Sequence, residues 1–203
     1  MNDTFDYINK FVSVTEDQSI RIQNYIDFLI QYNQELNLIG KSTENDILNR
    51  HIVDCLQVIN YIDNKDIKLA DLGTGAGLPG ILLSILGIKE VYLFEKSPCK
   101  CEFLEKAKTF SQNKIVIVNK NIQDVKNEKF DVITSRALGS LNLLLELSLN
   151  LKKENTQLIF LKGKKVFEEI KEAEKKWKIN YKLFESITST EGRIVKIFDY
   201  SIK

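Results

Sequence analysis

The sequence predicts an α/β fold in which a mostly parallel sheet follows an N-terminal helical extension and ends in an antiparallel C-terminal hairpin. Three observations predict it. From Ile67 onward, short apolar runs alternate with segments of helical periodicity, which is the pattern of parallel strands joined by crossover helices. The last two apolar runs are separated only by residues 188–192, too few for a crossover helix. Before Ile67 the sequence predicts two helices, in residues 16–38 and from about Glu44 to Tyr61.

Two helices are predicted in the extension. Residues 16–38 carry apolar side chains at helical spacing, and Gly40 interrupts the pattern. Residues 42–46 (Ser-Thr-Glu-Asn-Asp) then suit a helix start, so we expect a second helix from about Glu44 to Tyr61. We therefore divide the chain into an extension, residues 1–62, and a sheet domain, residues 63–203, which together form one compact unit.

In the sheet domain, each apolar run is assigned to a strand and each amphipathic segment to a helix. The predicted strands are Ile67–Leu72, Val91–Glu95, Lys114–Val118, Phe130–Thr134, Gln157–Leu161, Tyr181–Ile187 and Arg193–Tyr200. The predicted helices are Leu78–Leu86, Pro98–Phe110, Ser140–Leu151 and Lys165–Trp177.

Composition excludes several functional classes. The chain of 203 residues is 43% hydrophobic and has no apolar run near 20 residues, so we expect no membrane span. Its first residues lack the basic and apolar regions of a signal peptide, and its three cysteines form no C-x-x-C pair, which favours a reducing, cytoplasmic location. One histidine and no cysteine cluster predict no metal site. A net charge of +1 means that a nucleic-acid partner would need a local basic patch.

The segment Asp71-Leu72-Gly73-Thr74-Gly75-Ala76-Gly77-Leu78-Pro79-Gly80 predicts a ligand cradle between the first strand and its helix. Residues 75–80 satisfy the dinucleotide pattern G-x-G-x-x-G, and residues 71–77 equally satisfy the acidic-x-G-x-G-x-G pattern of S-adenosylmethionine (SAM) enzymes. A carboxylate at the strand end would repel a pyrophosphate but suits a ligand with an ammonium and a sulfonium group. We therefore expect SAM as the cofactor.

Polar residues after the later strands extend this cradle. Glu95 ends the second strand, 20 residues beyond Gly75, where a carboxylate accepts hydrogen bonds from both hydroxyls of a ribose. The polar segment 121–124 follows the third strand, where SAM enzymes hold the adenine. Arg136 follows the fourth strand and suits either the cofactor carboxylate or an RNA phosphate. The alternative for Arg136 is a salt bridge to Asp71 or Glu95.

Basic residues near the same edge form a candidate patch for RNA. Lys162, Lys164 and Lys165 follow the fifth strand, and Lys41, Arg50, Arg136 and Arg193 could lie nearby. Arg50 and Asp54 are one turn apart, so an ordinary i,i+4 ion pair is the simpler account of that helix.

These motifs together resemble the bacterial 16S ribosomal RNA guanine-N(7) methyltransferases, the glucose-inhibited division protein B family. The similarity covers about residues 30 to 200. It rests on residues 37–39 (Asn-Leu-Ile), 50–56 (Arg-His-Ile-Val-Asp-Cys-Leu), 71–80, 135–137 (Ser-Arg-Ala), 161–163 (Leu-Lys-Gly) and 192–193 (Gly-Arg). Ile39, Cys55 and Gln123 depart from the usual Thr, Ser and Glu of this family, and Cys99-Lys100 stands where Lys-Arg is common.

The resemblance implies a class I SAM-dependent methyltransferase fold, which is Rossmann-like. It implies methylation of guanine N(7) in one unpaired nucleotide of the 530-loop region of 16S rRNA, presented as RNA or as the small ribosomal subunit. With the motifs above, the expected cofactor contacts are Asp71, Gly73, Gly75, Gly77, Leu78, Glu95, Ile122, Gln123 and Arg136. The expected RNA contacts are Arg50, His51, Lys162 and Arg193. No residue is assigned as a catalytic acid or base.

The sequence is also compatible with two other functions. G-x-G-x-x-G with Glu95 would also suit a nicotinamide-dependent reductase. A non-catalytic RNA-binding module with a degenerate cofactor cradle would retain the basic patch.

Overall fold

The structure, a computed structural model, describes residues 3–203 and contains a seven-stranded sheet with helices on both faces. The strand order is β3-β2-β1-β4-β5-β7-β6. The first five strands pair in parallel, and β7 is antiparallel to both β5 and β6. The strands are β1 (Lys68–Leu72), β2 (Glu90–Phe94), β3 (Lys114–Val118), β4 (Phe130–Arg136), β5 (Lys152–Lys162), β6 (Trp177–Glu185) and β7 (Arg193–Ile202). The predicted fold class is confirmed.

Eight α-helices are found among residues 3–203. They are α1 (Asp3–Asn9), α2 (Glu16–Leu36), α3 (Lys41–Glu44), α4 (Asp54–Leu56), α5 (Gly80–Ile85), α6 (Pro98–Ala107), α7 (Leu141–Ser148) and α8 (Val166–Lys176). Helix α2 matches the prediction because its ends are well marked. Thr15 and Gln18 form a reciprocal capping box at its start, and Asn37 adopts a left-handed conformation at its end.

The second predicted helix, residues 44–61, is irregular in the structure. A π-helical segment, Leu48–Val53, leads into the single turn of α4, and a 3-10 segment, Gln57–Tyr61, follows it. A π-helical segment widens the helix and turns side chains away from ideal spacing, and such segments are frequent at functional sites. Here it carries Arg50 and His51.

Several other elements differ from the prediction. Strand β6 begins at Trp177 rather than at Tyr181, so Trp177 belongs to this strand and not to the predicted helix Lys165–Trp177. Helix α5 begins at Gly80 rather than at Leu78, because the carbonyl oxygen of Thr74 accepts from the N–H groups of Gly77 and Leu78 and keeps those residues in a turn. Strand β5 begins at Lys152, where exposed polar residues hide the strand pattern. Helix α1 was not predicted; its seven residues give too short a periodic pattern.

The extension packs into the same hydrophobic core as one face of the sheet. Tyr25 and Leu29 of α2 are fully buried in a cluster that also contains Leu82 of α5 and Phe103 of α6. The Phe28 ring stacks on Phe103 with ring centroids 5.2 Å apart. A second cluster, built from the opposite sheet face with α7 and α8, surrounds the buried Trp177. The division at residue 62 stays a prediction.

The sheet topology brings the functional segments to one edge. Parallel strands β1, β2, β4 and β5 all point their carboxyl ends there, and β7 starts there because it runs the other way, with Arg193 opposite Lys162. Side-chain hydroxyls tie the strand ends together. Ser135 Oγ donates to the carbonyl oxygen of Leu72 at 2.8 Å, and Thr134 Oγ1 to that of Ile159 at 2.8 Å. This edge is where α/β sheets bind ligands.

Candidate active site

The glycine turn after β1 is held in a conformation that side chains with a Cβ rarely adopt. Gly73, Gly75 and Gly77 have φ values of 64°, 57° and 90°. A Cβ on Gly73 would lie 2.4 Å from Leu138 Cδ1, and one on Gly77 would lie 2.3 Å from Ile81 Cδ1. A Cβ on Gly75 would meet no protein atom within 4 Å. A side chain at Gly73 or Gly77 would therefore have to displace Leu138 or Ile81, whereas Gly75 faces open space that a ligand can occupy.

Asp71 is buried at the end of β1 and organises this turn. One oxygen, Oδ2, accepts from Thr74 Oγ1 at 2.5 Å and from the N–H of Gly80 at 2.9 Å. The other, Oδ1, has no hydrogen-bond partner within residues 3–203. Burial raises the pKa of Asp71 to about 7. One buried oxygen of Asp71 is thus left without a partner in the described part of the chain, and such an acceptor suits a positively charged or hydrogen-bond-donating group.

Glu95 follows β2 and faces the same turn. Its Oε2 accepts from the N–H of Gly75 at 3.1 Å, and its Oε1 accepts from the N–H of Ser97 at 2.9 Å. Each carboxylate oxygen retains a second lone pair, so Glu95 can also accept from two vicinal hydroxyl groups. The carboxylate is thus fixed where the sequence expects the ribose of an adenosine.

The other expected cofactor contacts lie around this cradle in different environments. Ile122 and Gln123 form a 3-10 turn after β3; Ile122 is half-buried against the core and Gln123 is exposed. Leu78 is buried in the core beneath the turn. The 3-10 turn thus presents a half-buried apolar side chain, Ile122, next to an exposed polar one, Gln123.

Arg136, at the end of β4, binds the N-terminal extension rather than Asp71 or Glu95. Its Nε lies 3.2 Å from Asp54 Oδ2, and its Nη2 donates to the carbonyl oxygen of Arg50 at 2.9 Å. Asp54 Oδ1 accepts from Thr188 Oγ1 at 2.9 Å. The simple Arg50–Asp54 pair is therefore replaced by a network that joins the extension, β4 and the β6–β7 turn.

His51 belongs to the same network, and its contacts define its tautomer. Both terminal nitrogens of the Arg136 guanidinium lie 3.1 Å from His51 Nδ1. Since arginine only donates, Nδ1 accepts and the proton resides on Nε2, which donates to Thr43 Oγ1 at 2.7 Å. Burial, with the nearby Arg136 and Arg50, lowers the pKa of His51 to about 4. The ring is therefore neutral at physiological pH.

A cleft of about 470 Å³ lies between this network, the ends of β4 and β5, and the β6–β7 turn. Its charged lining residues are five cations and three carboxylates, so positive charge is concentrated in the cleft, whereas the whole chain has a net charge of only +1. The cations of the cleft are Arg50, Arg136, Lys162, Lys164 and Arg193, and its carboxylates are Asp54, Glu169 and Glu191.

The expected RNA contacts differ in how they meet this cleft. Arg50 is exposed on its wall. Arg193 Nη1 donates to the carbonyl oxygens of Thr190 and Gly192, each at 2.7 Å, which holds the guanidinium at the cleft. His51 is buried behind Arg136. Lys162 is also turned inward, and its ammonium group binds Gly139 and Glu169.

Two residues that support the glycine turn were not singled out by the sequence analysis. Tyr25 of α2 donates from its buried hydroxyl to the carbonyl oxygen of Ala76 in the glycine turn, and Leu138 rests on Gly73. In the sequence, both residues look like ordinary apolar core residues, and Tyr25 lies 51 residues from Ala76. Nothing in the local pattern distinguishes them from core residues.

Within the described range, residues 3–203, no three His, Cys, Asp or Glu side chains are grouped so as to hold a metal ion. No helix in that range combines the length and apolar character needed to cross a membrane. Cys55, Cys99 and Cys101 are all free thiols.

Comparison with known proteins identifies the family. The family model described as "GidB: rRNA small subunit methyltransferase G" matches residues 18–197. This chain belongs to the GidB family. Similar relatives bear the name ribosomal RNA small subunit methyltransferase G. One from Rickettsia rickettsii (strain Sheila Smith) is 41% identical over 82% of this chain and 86% of its own, and one from Rickettsia bellii (strain OSU 85-389) is 40% identical over 88% and 92%.

Solved structures of other methyltransferases share the fold of this GidB protein. The ribosomal protein L11 methylase of Lactobacillus delbrueckii subsp. bulgaricus superposes with a TM-score of 0.59 at 22% identity, over 76% of this chain and 79% of its own. Magnesium protoporphyrin IX methyltransferase from Synechocystis PCC 6803, solved with bound SAM, has a TM-score of 0.58 at 14% identity, over 92% and 98%. The GidB protein is thus a class I, SAM-dependent rRNA methyltransferase. Family membership sets aside the nicotinamide-dependent reductase.

Proposed function

We propose that this protein methylates N(7) of one unpaired guanine in the 530-loop region of 16S rRNA. The observation that carries the proposal is that the cradle of Asp71, Gly75 and Glu95 and the cation-lined cleft open at the same edge of the sheet. A methyl donor bound in the cradle and a nucleotide bound in the cleft would therefore be neighbours. Family membership supports the rRNA substrate.

The cradle fits SAM by charge and by shape. When bound, SAM supplies a methyl group on a positively charged sulfonium centre. Asp71 Oδ1 offers a buried acceptor to a cationic part of the ligand, and Gly75 leaves room for it. In this proposal Glu95 binds the ribose hydroxyls, and Ile122 and Gln123 bind the adenine. Gly73, Gly77 and Leu78 shape the cradle from below, and Arg136 closes it on the cleft side.

The residues of the cleft have a positioning and electrostatic role. Guanine N(7) carries an in-plane lone pair, so attack needs no general base. The protein must instead align N(7) with the methyl group and exclude water. Methylation leaves a positive charge on the purine, which Glu191 at the cleft would balance, because Asp54 and Glu169 are already paired with Arg136 and Lys162.

The cleft suits an unpaired nucleotide. In A-form RNA, N(7) lies in a deep, narrow groove that side chains do not enter. A base that is flipped out of its loop can instead occupy the 470 Å³ cleft while Arg50, Lys164 and Arg193 meet the flanking phosphates. His51 would act through Arg136, whose guanidinium it orients. We place the reaction in the cytoplasm, on naked 16S RNA or the small ribosomal subunit.

The deciding experiment is to incubate the protein with labelled SAM and 16S RNA from a strain that lacks the modification, free and within small subunits, and to map the labelled base. Label at one guanine N(7) in the 530-loop region is expected. Label at another atom or region would overturn the proposed target. RNA binding without any incorporated label would favour the non-catalytic RNA-binding module.

A further inference from the structure

The loop Ala137–Gly139, which follows β4, separates the cofactor cradle from the cleft. On one side, Leu138 rests on Gly73 so closely that a Cβ there would lie 2.4 Å from its Cδ1. On the other side, Ala137 and Gly139 line the cleft. The methyl group must pass from the cofactor cradle to the cleft, so the position of this loop sets the distance between the methyl donor and the acceptor.

The loop needs support from outside because its own backbone conformation is unfavourable. Ala137 has a φ of 58°, in the left-handed region that residues with a Cβ rarely adopt. Such conformations persist only where surrounding contacts enforce them, and they cluster at functional sites.

Lys162 and Glu169 provide that support from β5 and α8. Lys162 Nζ donates to the carbonyl oxygen of Gly139 at 2.6 Å and lies 2.5 Å from Glu169 Oε2. The same Glu169 oxygen accepts from the N–H of Leu141 at 2.8 Å. The side chains are only 8% and 22% exposed, so water competes weakly for these contacts. One ion pair thus clamps the loop at Gly139 and at Leu141.

We propose that Lys162 and Glu169 are a positioning pair for methyl transfer: they hold the Ala137–Gly139 loop so that the methyl donor and the target purine meet in line. The proposal rests on the proposed function. It replaces a phosphate contact as the role of Lys162, because its ammonium group is already bound within the protein. Lys164, exposed in the same turn, is the residue that suits a phosphate.

The test compares Lys162→Met with Lys164→Met, which remove the same charge from an inward and an exposed position. Lys162→Met should lower the single-turnover methylation rate at saturating SAM and RNA about 10- to 100-fold, since small misplacements of reacting groups have effects of that size. Its SAM Kd, RNA KM and salt dependence should stay within about threefold of wild type. Lys164→Met should instead weaken RNA binding and reduce the salt slope by about one.

The variant Glu169→Gln and a measurement of amide exchange test the same positioning role independently. Glu169→Gln retains an acceptor for Leu141 but loses the charge, so its saturated rate should fall less than that of Lys162→Met. If Lys162→Met does not fold, Glu169→Gln decides by the same criteria. Amide exchange of residues 137–143 in the SAM complex requires no methylation, and it should accelerate in both variants.

Three results would overturn the positioning role: a saturated rate equal to wild type, an RNA-binding defect with a lowered salt slope, or unchanged amide exchange in the loop. Failure of the wild-type protein to methylate 16S RNA is a separate result. It would count against the proposed function, and the exchange measurement would still decide whether the pair holds the loop.

Discussion

The hydroxyl group of Tyr25 donates a hydrogen bond of 2.8 Å to the carbonyl oxygen of Ala76, and both groups are buried. Helix α2 of the extension is thereby fastened to the glycine turn of the cradle, 51 residues away. Burial raises the pKa of Tyr25 well above its ordinary value, so the phenol stays protonated and continues to donate. Helix α2 of the extension therefore supports the glycine turn of the proposed cofactor site.

Tyr25→Phe should lower the free energy of unfolding by about 1–2 kcal/mol, because the carbonyl oxygen of Ala76 would be left buried without its donor. We also expect a several-fold rise in the SAM Kd, since the turn loses one of its supports. Chemical denaturation and calorimetry measure the two quantities. Tyr32→Phe is the control, because the Tyr32 hydroxyl only accepts from the exposed Lys106. Equal SAM affinity in wild type and Tyr25→Phe would contradict the role of this contact.

Gly75→Ala should weaken SAM binding at least tenfold with a loss of about 1–2 kcal/mol of stability, the cost of a left-handed alanine. Its methyl group would enter the open space of the cradle. Gly73→Ala should be less stable than Gly75→Ala, because its Cβ also collides with Leu138. Gly163→Ala, with an ordinary φ and no atom near its Cβ, is the control and should resemble wild type. Unchanged SAM affinity in Gly75→Ala would remove Gly75 from the site.

SAM affinity should fall as the pH is lowered from 7 to 5.5, by up to about tenfold per unit. With a pKa of about 7, Asp71 is increasingly protonated over that range, whereas a cationic ligand favours its carboxylate form. Binding at pH 6.5 should therefore release a proton. The ligand's α-amino group, with an ordinary pKa near 7.7–8.0, stays charged throughout the range.

Calorimetry at pH 6.5 in two buffers of different ionisation enthalpy measures the released proton directly. Asp71→Asn should bind SAM more weakly and show no release. A buffer-independent binding enthalpy in the wild-type protein would indicate that Asp71 does not meet the cationic part of the cofactor.

The His51–Arg136 contact should make stability sensitive to mild acid. The pKa of His51 is about 4 in the folded protein and near 6.5 when unfolded, so the unfolded chain binds more protons between these values. The stabilisation that comes from keeping the His51 ring neutral in the folded protein is therefore fully present above pH 6.5, and it is lost as the pH falls towards 4. Asp71 acts in the opposite sense, because its pKa is raised on folding.

His51→Asn isolates that contribution, since an amide oxygen can replace Nδ1 as acceptor for Arg136 but does not titrate. Denaturant unfolding of both proteins at intervals between pH 7.5 and 4.5 should show the wild type losing more stability than the variant. Parallel curves for the two proteins would mean that the His51 ring is not held neutral by this contact.

Most of the fold could be predicted from the sequence because its signals are local. Apolar runs of strand length alternate with amphipathic helices from Ile67 to Trp177, and residues 188–192 are too few for a crossover. The irregular helix at residues 48–61 and the early start of β5 at Lys152 could not be predicted. Both depend on contacts with other elements, which local periodicity does not encode.

The sequence by itself determined the cradle, since Asp71, the glycines and Glu95 stand at the ends of consecutive parallel strands, and such ends always meet at one edge of a sheet. Only the tertiary structure decided which partners the charged side chains take. Arg136 binds a helix 85 residues away, and Lys162 turns inward to brace a loop. The physical reason is that a flexible side chain takes the nearest complementary group, and that distance is set by how separate elements pack rather than by spacing along the chain.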